Sequence, residues 1–562
     1  MDRRATLTAL LGRPRSYLST QTLLSPPGGP ALLPYTGEWT YERAAHLLRR
    51  AMFAPTHLQI KAAVEKGLDA TIEELFQELL LPDPPVNSYF EEDPFVPLGE
   101  IWLNAPYLKQ EEDEEEVIDL REHRFHSLRA WTFGLLLTEG VSIREKMTLF
   151  WHNHFALHEV DDPKYIYRHI QLLRSYAWGN FRDLVKAITI DPAMLRMLNG
   201  NQNTKRAPNE NYARELLELH TVGKGEQVGA GDYTTFTEED VVEIARALTG
   251  WREEGFETKD ADQAIKSFFD VERHDILTKQ LSPRFNNATI NDGGEEEYKQ
   301  VVDLIFESPE VARHISRKLY RWFIYYKIDA TTEQDVIEPM AQLLISNDFN
   351  IKPVLEAFLK SEHFFNIRSV GPLIKNPIDH VISTIKTFGV VVYPENLKNR
   401  YDLWYRVFDR TPSMQMEYYR PPEVAGWKGY YQAPAYYRLW INASTLPSRM
   451  NFANAVILEG LAGEEMRLEV DVFKFLKTLD DPHDPNKVVA DFAKILCPKP
   501  LTANQLKLLK EILLPGLPDY EWGVEYTDYE ANPMDMQLAM AIEGKLRQLI
   551  RVLMNLPEFF LS

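Results

Sequence analysis

The chain has 562 residues, 44% hydrophobic and 26% charged, with a formal charge of −21. That length supports a large buried core, and the apolar and charged fractions are those of an ordinary globular protein. So acidic a chain is poorly suited to neutralising phosphates, which argues against nucleic acid and anionic membrane surfaces as partners. The single cysteine, Cys497, rules out intrachain disulfides, thiolate zinc clusters and iron–sulfur sites, and reads as a small hydrophobe.

The first elements are ambiguous. Twin arginines, Arg3 and Arg4, precede a short apolar run that Arg13 and Pro14 interrupt. This is either a truncated twin-arginine signal or a basic terminus. Residues 1–35 read as a flexible tail, rich in Pro, Gly, Ser and Thr. Residues 36–562 read as one large helical domain with a C-terminal helical subdomain possible from about 450. Helical spacing begins with Ala44, Leu47, Leu48 and Ala51. "QEEDEEE", Gln110 to Glu116, reads as a solvated loop. From Glu122 the chain reads as helix after helix, with capping boxes at Ser142/Glu145 and Thr237/Asp240. Strand alternation is scarce, "GVVVYP" being the best candidate, and no stretch reaches the ~18 apolar residues of a membrane span. "FLKSEHFF" and "LMNLPEFF" echo each other, too few copies for a repeat architecture. The spacing therefore predicts a mostly α fold: a large multi-helical single unit with long loops and little or no sheet.

Four stretches carry candidate chemistry. "LFWHNHFALH" holds His152, Asn153, His154 and His158, with His154 on an apolar face and no HExxH glutamate. "NENYARELLELHTVG" winds into a polar arc of Glu210, Asn211, Arg214, Glu215 and Glu218, opposite an apolar arc that includes His220. Exposed, that arc is a salt ladder; facing inward, it would hold a cation or shift its own pKa values. Whether it is wet or dry, periodicity does not say. "ERHDILTK" gives His274, Asp275 and Lys279, compatible with the His…His-Asp order of helical metal phosphohydrolases. Finally, eight of the 23 residues from Tyr418 to Trp440 are aromatic. Trp427, Tyr430, Tyr431 and Trp440 in this stiff Pro/Gly loop suit sugar stacking, or pin the loop to the core.

Together, "HLLRRAMFAPT", "MTLFWHNHFA", "NENYARELLELHTVG", "YTTFTEEDVVEIARALTGW", the HD pair and "PPEVAGWKG" resemble the bacterial domain of unknown function 1800 family, over roughly Thr40 to Phe560. The resemblance implies an exported protein, periplasmic or extracellular, although the interrupted signal leaves a cytoplasmic setting open. It also implies a partner from the domain of unknown function 1501 family, whose members look like sulfatase or alkaline-phosphatase relatives. The chain departs from the pattern where "GFG" reads Met52-Phe53-Ala54. Two functions follow as expectations. One is a hydrolase of an envelope polysaccharide or ester, assisted by a divalent metal. Glu215, Asp240, Arg214 and Asn153 would be its catalytic residues, and His154, His274, Asp275 and Glu210 its metal ligands. The other is a non-catalytic scaffold that binds glycan or partner through the aromatic loop.

Overall fold

The computed structural model describes residues 32–107, 119–260, 263–389, 393–463 and 467–562. The tail up to residue 31, the acidic block and the centre of "GVVVYP" lie outside the described residues. Helices dominate: α1 (Tyr41–Ala51), α2 (Leu120–Thr138), α3 (Arg144–His154), α4 (Pro163–Ser175), α5 (Glu210–Glu215), α6 (Glu238–Ala247), α7 (Pro309–Phe323), α8 (Pro377–Lys386), α9 (Leu397–Phe408), α10 (Thr445–Leu458) and α11 (Met536–Met554), with further helices between them. Among the described residues, sheet is confined to four antiparallel two-stranded pairs, so the mostly α expectation holds. No described helix is long and apolar enough to cross a membrane.

One apolar core runs from Ala44 to Phe560. α2 packs on α9, where Gly134 lets the Trp404 indole lie against the helix backbone; a Cβ there would sit 2.5 Å from the ring. α3 packs on α4, and α10 bridges α8 and α11. The two echoing segments do matching work. Phe364 and Phe365 pack tilted and edge-on against His46 of α1, and Phe560 and Phe559 do the same against His380 of α8. Each is preceded or followed by an isolated bridge, Pro34 to Ser361 and Ile374 to Leu561, so residues 34 and 35 are tied to the core.

One of the two capping boxes forms. Thr237 and Asp240 cap α6 reciprocally. At α3 the cap position is Ile143, and Ser142 Oγ accepts only the Arg144 amide at 3.1 Å. Glu145 turns inward instead. Its two oxygens accept from Arg174 Nε at 2.6 Å and Nη2 at 2.9 Å, both side chains buried. A bidentate ion pair in the core holds that carboxylate more strongly than a helix amide would.

Candidate functional site

The "NENYARELLELHTVG" motif begins as an α-helix and ends as something else. Asn209 caps α5, its Oδ1 accepting the Asn211 amide at 2.9 Å. After Glu215 the backbone widens into a π-helical turn over Leu216–His220. The last carbonyls of a helix have no partner within it, and here two of them turn towards α3 and α7. Leu219 O accepts from His314 Nε2 at 3.2 Å and from Lys318 Nζ at 2.9 Å. His220 O accepts from His154 Nε2 at 3.1 Å. Gly223 closes the turn at φ +75°, and a Cβ there would lie 2.4 Å from His314 Nδ1. The motif's apolar end thus builds a carbonyl cradle for three basic side chains.

Lys318 is the centre of that cradle. Besides Leu219 O, its Nζ donates to Nδ1 of His154 at 2.8 Å. His154 Nε2 faces a carbonyl and Nδ1 faces an amine, so the neutral Nε2–H tautomer satisfies both partners. Burial and the Lys318 charge hold His154 well below the ordinary histidine range. Burial, with Arg321 nearby, pushes Lys318 down to about 7. These groups open onto a cavity of about 220 Å³, whose wall includes Asn153, His154, His314, Lys318, Arg321, Tyr430 and Tyr431. Among the described residues, no carboxylate lines it.

Asn153 is held by the aromatic loop. Its Oδ1 accepts the Trp427 amide at 2.9 Å. Gly426, at φ +88°, permits the approach: a Cβ would sit 2.4 Å from both Asn153 O and Oδ1. Trp427 and Trp440 are buried and pin the loop. Tyr430 packs on Trp322 at 4.5 Å between centroids, and its hydroxyl accepts from Asn376 Nδ2 at 3.0 Å. Tyr431 donates to Glu423 at 2.5 Å.

The other expected site residues lie elsewhere, and none of them lines this cavity. Glu210, Arg214 and Glu218 form a half-exposed ladder that continues to Glu238 and Lys224. Glu215 makes no hydrogen bond among the described residues; burial and then Glu218 push its carboxyl up. Asp240 is fully buried and accepts from Thr237 N and Oγ1 and from Ser282 N and Oγ. Asp275 pairs with Arg246 at 2.8 Å. Burial opposes its ionisation, but that guanidinium and the Leu277 amide hold it below the usual carboxylate range. His274 faces Thr249 O at 2.9 Å through Nδ1 and Glu297 Oε2 at 3.0 Å through Nε2. Burial opposes its charge, but the Glu297 hydrogen bond raises it. His274, Asp292 and Glu297 do bring ligand atoms within 4.8 Å of one another. The buried Lys279 ammonium already occupies Glu297 Oε1 and the Asp275 carbonyl. Cys497 is buried, its thiol pushed up to about 12 by desolvation.

Sequence reasoning passed over His314, Lys318, Arg321 and Trp322. They recur at helical spacing along α7, between its apolar side and a salt-bridged side of Arg313 and Arg317. Basic residues bordering an apolar stripe were the available signal. Fold and site define a large, mostly helical protein with a cation-lined cavity. The chain belongs to the family described as protein of unknown function (DUF1800), whose model matches residues 46–561. No curated protein and no solved structure matches it.

Proposed function

We propose that the cavity beside Lys318 and His154 binds an anionic sugar or ester, and that this pair moves a proton at the bound group. The observation that carries the reading is the Lys318–His154 contact of 2.8 Å at the wall of a cavity without carboxylates. Two tetrahedral positions of Nζ are committed to His154 and Leu219 O. One position is left over, a lone pair when the amine is neutral and a donor when it is charged, and Lys318 lines the cavity. An amine that titrates near neutrality serves as base or acid in turn. Arg321 supplies the attraction for an anion, and Tyr430 and Tyr431 a face for a sugar ring. This narrows the substrate implied by the family resemblance to an envelope saccharide or ester that carries negative charge. The metal-assisted version would have to run at His274, Asp292 and Glu297, where Lys279 already neutralises Glu297.

The test is turnover of chromogenic sulfate and phosphate esters and of uronate oligosaccharides. Lys318→Met and His154→Gln are expected to lower kcat at least ~100-fold, the scale of a lost acid–base group. Binding of the ligand should change far less. Turnover that survives Lys318→Met but not chelation would replace this reading with the metal-assisted one. Binding without turnover of any member leaves the glycan-binding scaffold.

A further inference from the structure

Across Arg321, Trp322 and Tyr430, which line both, a second cavity of about 40 Å³ adjoins the first. Five cationic side chains line it: Arg49, Arg50, Lys146, Arg321 and Lys375. Its one carboxylate side chain, Asp379, is already engaged. It accepts from Lys146 Nζ at 2.5 Å and from Asn376 Nδ2 at 2.7 Å. Ser562 lines the same wall.

Arg50 is 2% exposed; Nη2 donates to Ser369 O at 3.0 Å, while Nε and Nη1 have no partner. Lys375 is buried, its Nζ 4.1 Å over the Phe559 ring, with no hydrogen bond among the described residues. Arg449, in electrostatic reach of Asp379 and Lys375, is fully buried with all three guanidinium nitrogens unpartnered. Buried basic groups without a hydrogen-bonded counter-ion are destabilising, and burial pushes Lys375 down to about 7; in a chain of charge −21 they mark a place built for something else. Water-sized groups can be centred anywhere within that 40 Å³, so the space has room for several oxygens. That is the size of a tetrahedral oxyanion. A guanidinium fork offers paired N–H groups at the spacing of two such oxygens.

We infer that this second cavity is a binding site for a phosphate or sulfate group, with Arg50 and Lys375 as its principal contacts. The anion site stands on its own geometry. Its link to chemistry rests on the function proposed above: a phosphorylated or sulfated saccharide seated here would extend past Trp322 and Tyr430 to Lys318 and His154.

Calorimetry on the full chain with inorganic phosphate and inorganic sulfate tests this. One equivalent should bind, and Arg50→Met and Lys375→Met should each weaken it at least ~10-fold, the scale of a lost charge-assisted contact. Lys318→Met should leave it within ~3-fold. Without anion, Arg50→Met should melt no lower than the unsubstituted protein, because an unpaired buried charge is gone; if it unfolds, Lys375→Met decides. No binding, or equal weak binding by every variant, overturns the site. Loss through Lys318→Met alone moves the anion to the first cavity and overturns it too. Hexose 6-phosphate or 6-sulfate should bind more tightly than the inorganic ion, the gain vanishing in Lys318→Met. An ester that binds no tighter overturns the link to Lys318 while leaving the anion site standing.

Discussion

Lys318 Nζ lies 2.8 Å from Nδ1 of His154, a contact across 164 residues of chain. It gives a pH dependence whose sign is fixed. Lys318 is held near 7 in the fold, against 10.5 when free. Between those values the unfolded chain binds more protons at this site, so stability rises with pH there. Below about 7 the folded amine is protonated too, and the penalty is constant. Lys318→Met removes the effect. The variant's stability advantage should be largest at pH 7 and below, and should shrink towards pH 10, by at most about 1.4 kcal/mol per pH unit. Thermal unfolding of both proteins in chloride buffers reads the difference, which also cancels the contributions of other buried lysines and tyrosines. A difference flat with pH would show an ordinary lysine.

The helical architecture was legible because helix periodicity is local: apolar spacing at Ala44–Ala51 and the Thr237/Asp240 cap depend on neighbours in sequence. The site was only half legible. Asn153, His154, Tyr430 and Tyr431 emerged from motifs and do line one cavity. Lys318 did not, because a lysine's meaning depends on whether it reaches water, and only the fold brings α7 against the carbonyls of Leu219 and His220. The Glu210/Arg214/Glu218 arc posed the same question from the other side. Its winding was read from sequence, whereas its half-exposed pairing with Glu238 and Lys224 required the tertiary neighbours.

That pairing predicts a contrast. Arg214→Met removes partly exposed ion pairs, which are each typically worth ~0.2–1 kcal/mol. Asp240→Ala strips the two buried donors of Ser282 and the two part-buried donors of Thr237 of their acceptor, at ~1–3 kcal/mol for each buried group left unsatisfied. Urea unfolding should therefore show a small loss for Arg214→Met and a loss of several kcal/mol for Asp240→Ala. Anion affinity of the folded proteins should be unchanged in both. A large fall in affinity with Arg214→Met would return the polar arc to the functional site.

Glu145 and Arg174 allow a sharper thermodynamic test. Both are buried and paired bidentately. Breaking such a pair from one side costs ~3–5 kcal/mol, because the other charge stays buried alone. Glu145→Gln should lose about that much. Glu145→Gln with Arg174→Met should recover most of it, measured as a double-mutant cycle by denaturant unfolding. Additive losses would mean that the pair is wetter than its burial indicates.

Ala54 and Gly426 carry opposite backbone predictions. Ala54 sits at φ +47°, in the left-handed region that disfavours a Cβ by about 1–2 kcal/mol. It stands where the family resemblance leads one to expect glycine. Ala54→Gly should stabilise the protein by up to ~1 kcal/mol, the strain relieved being partly offset by the greater entropy of an unfolded glycine. Gly426→Ala imposes the same backbone strain and adds a collision, since its Cβ would meet Asn153 O and Oδ1 at 2.4 Å. Gly67, at φ +86° with nothing within 4 Å, supplies the control. Gly67→Ala should cost only the backbone term, ~1–3 kcal/mol for a residue at φ +86° and ψ 167°. Gly426→Ala should exceed it, shift the fluorescence of Trp427, and weaken binding in the cavity that Asn153 lines. Equal losses for the two glycines would show that the Trp427 loop gives way without disturbing Asn153, and that its grip on the site is slight.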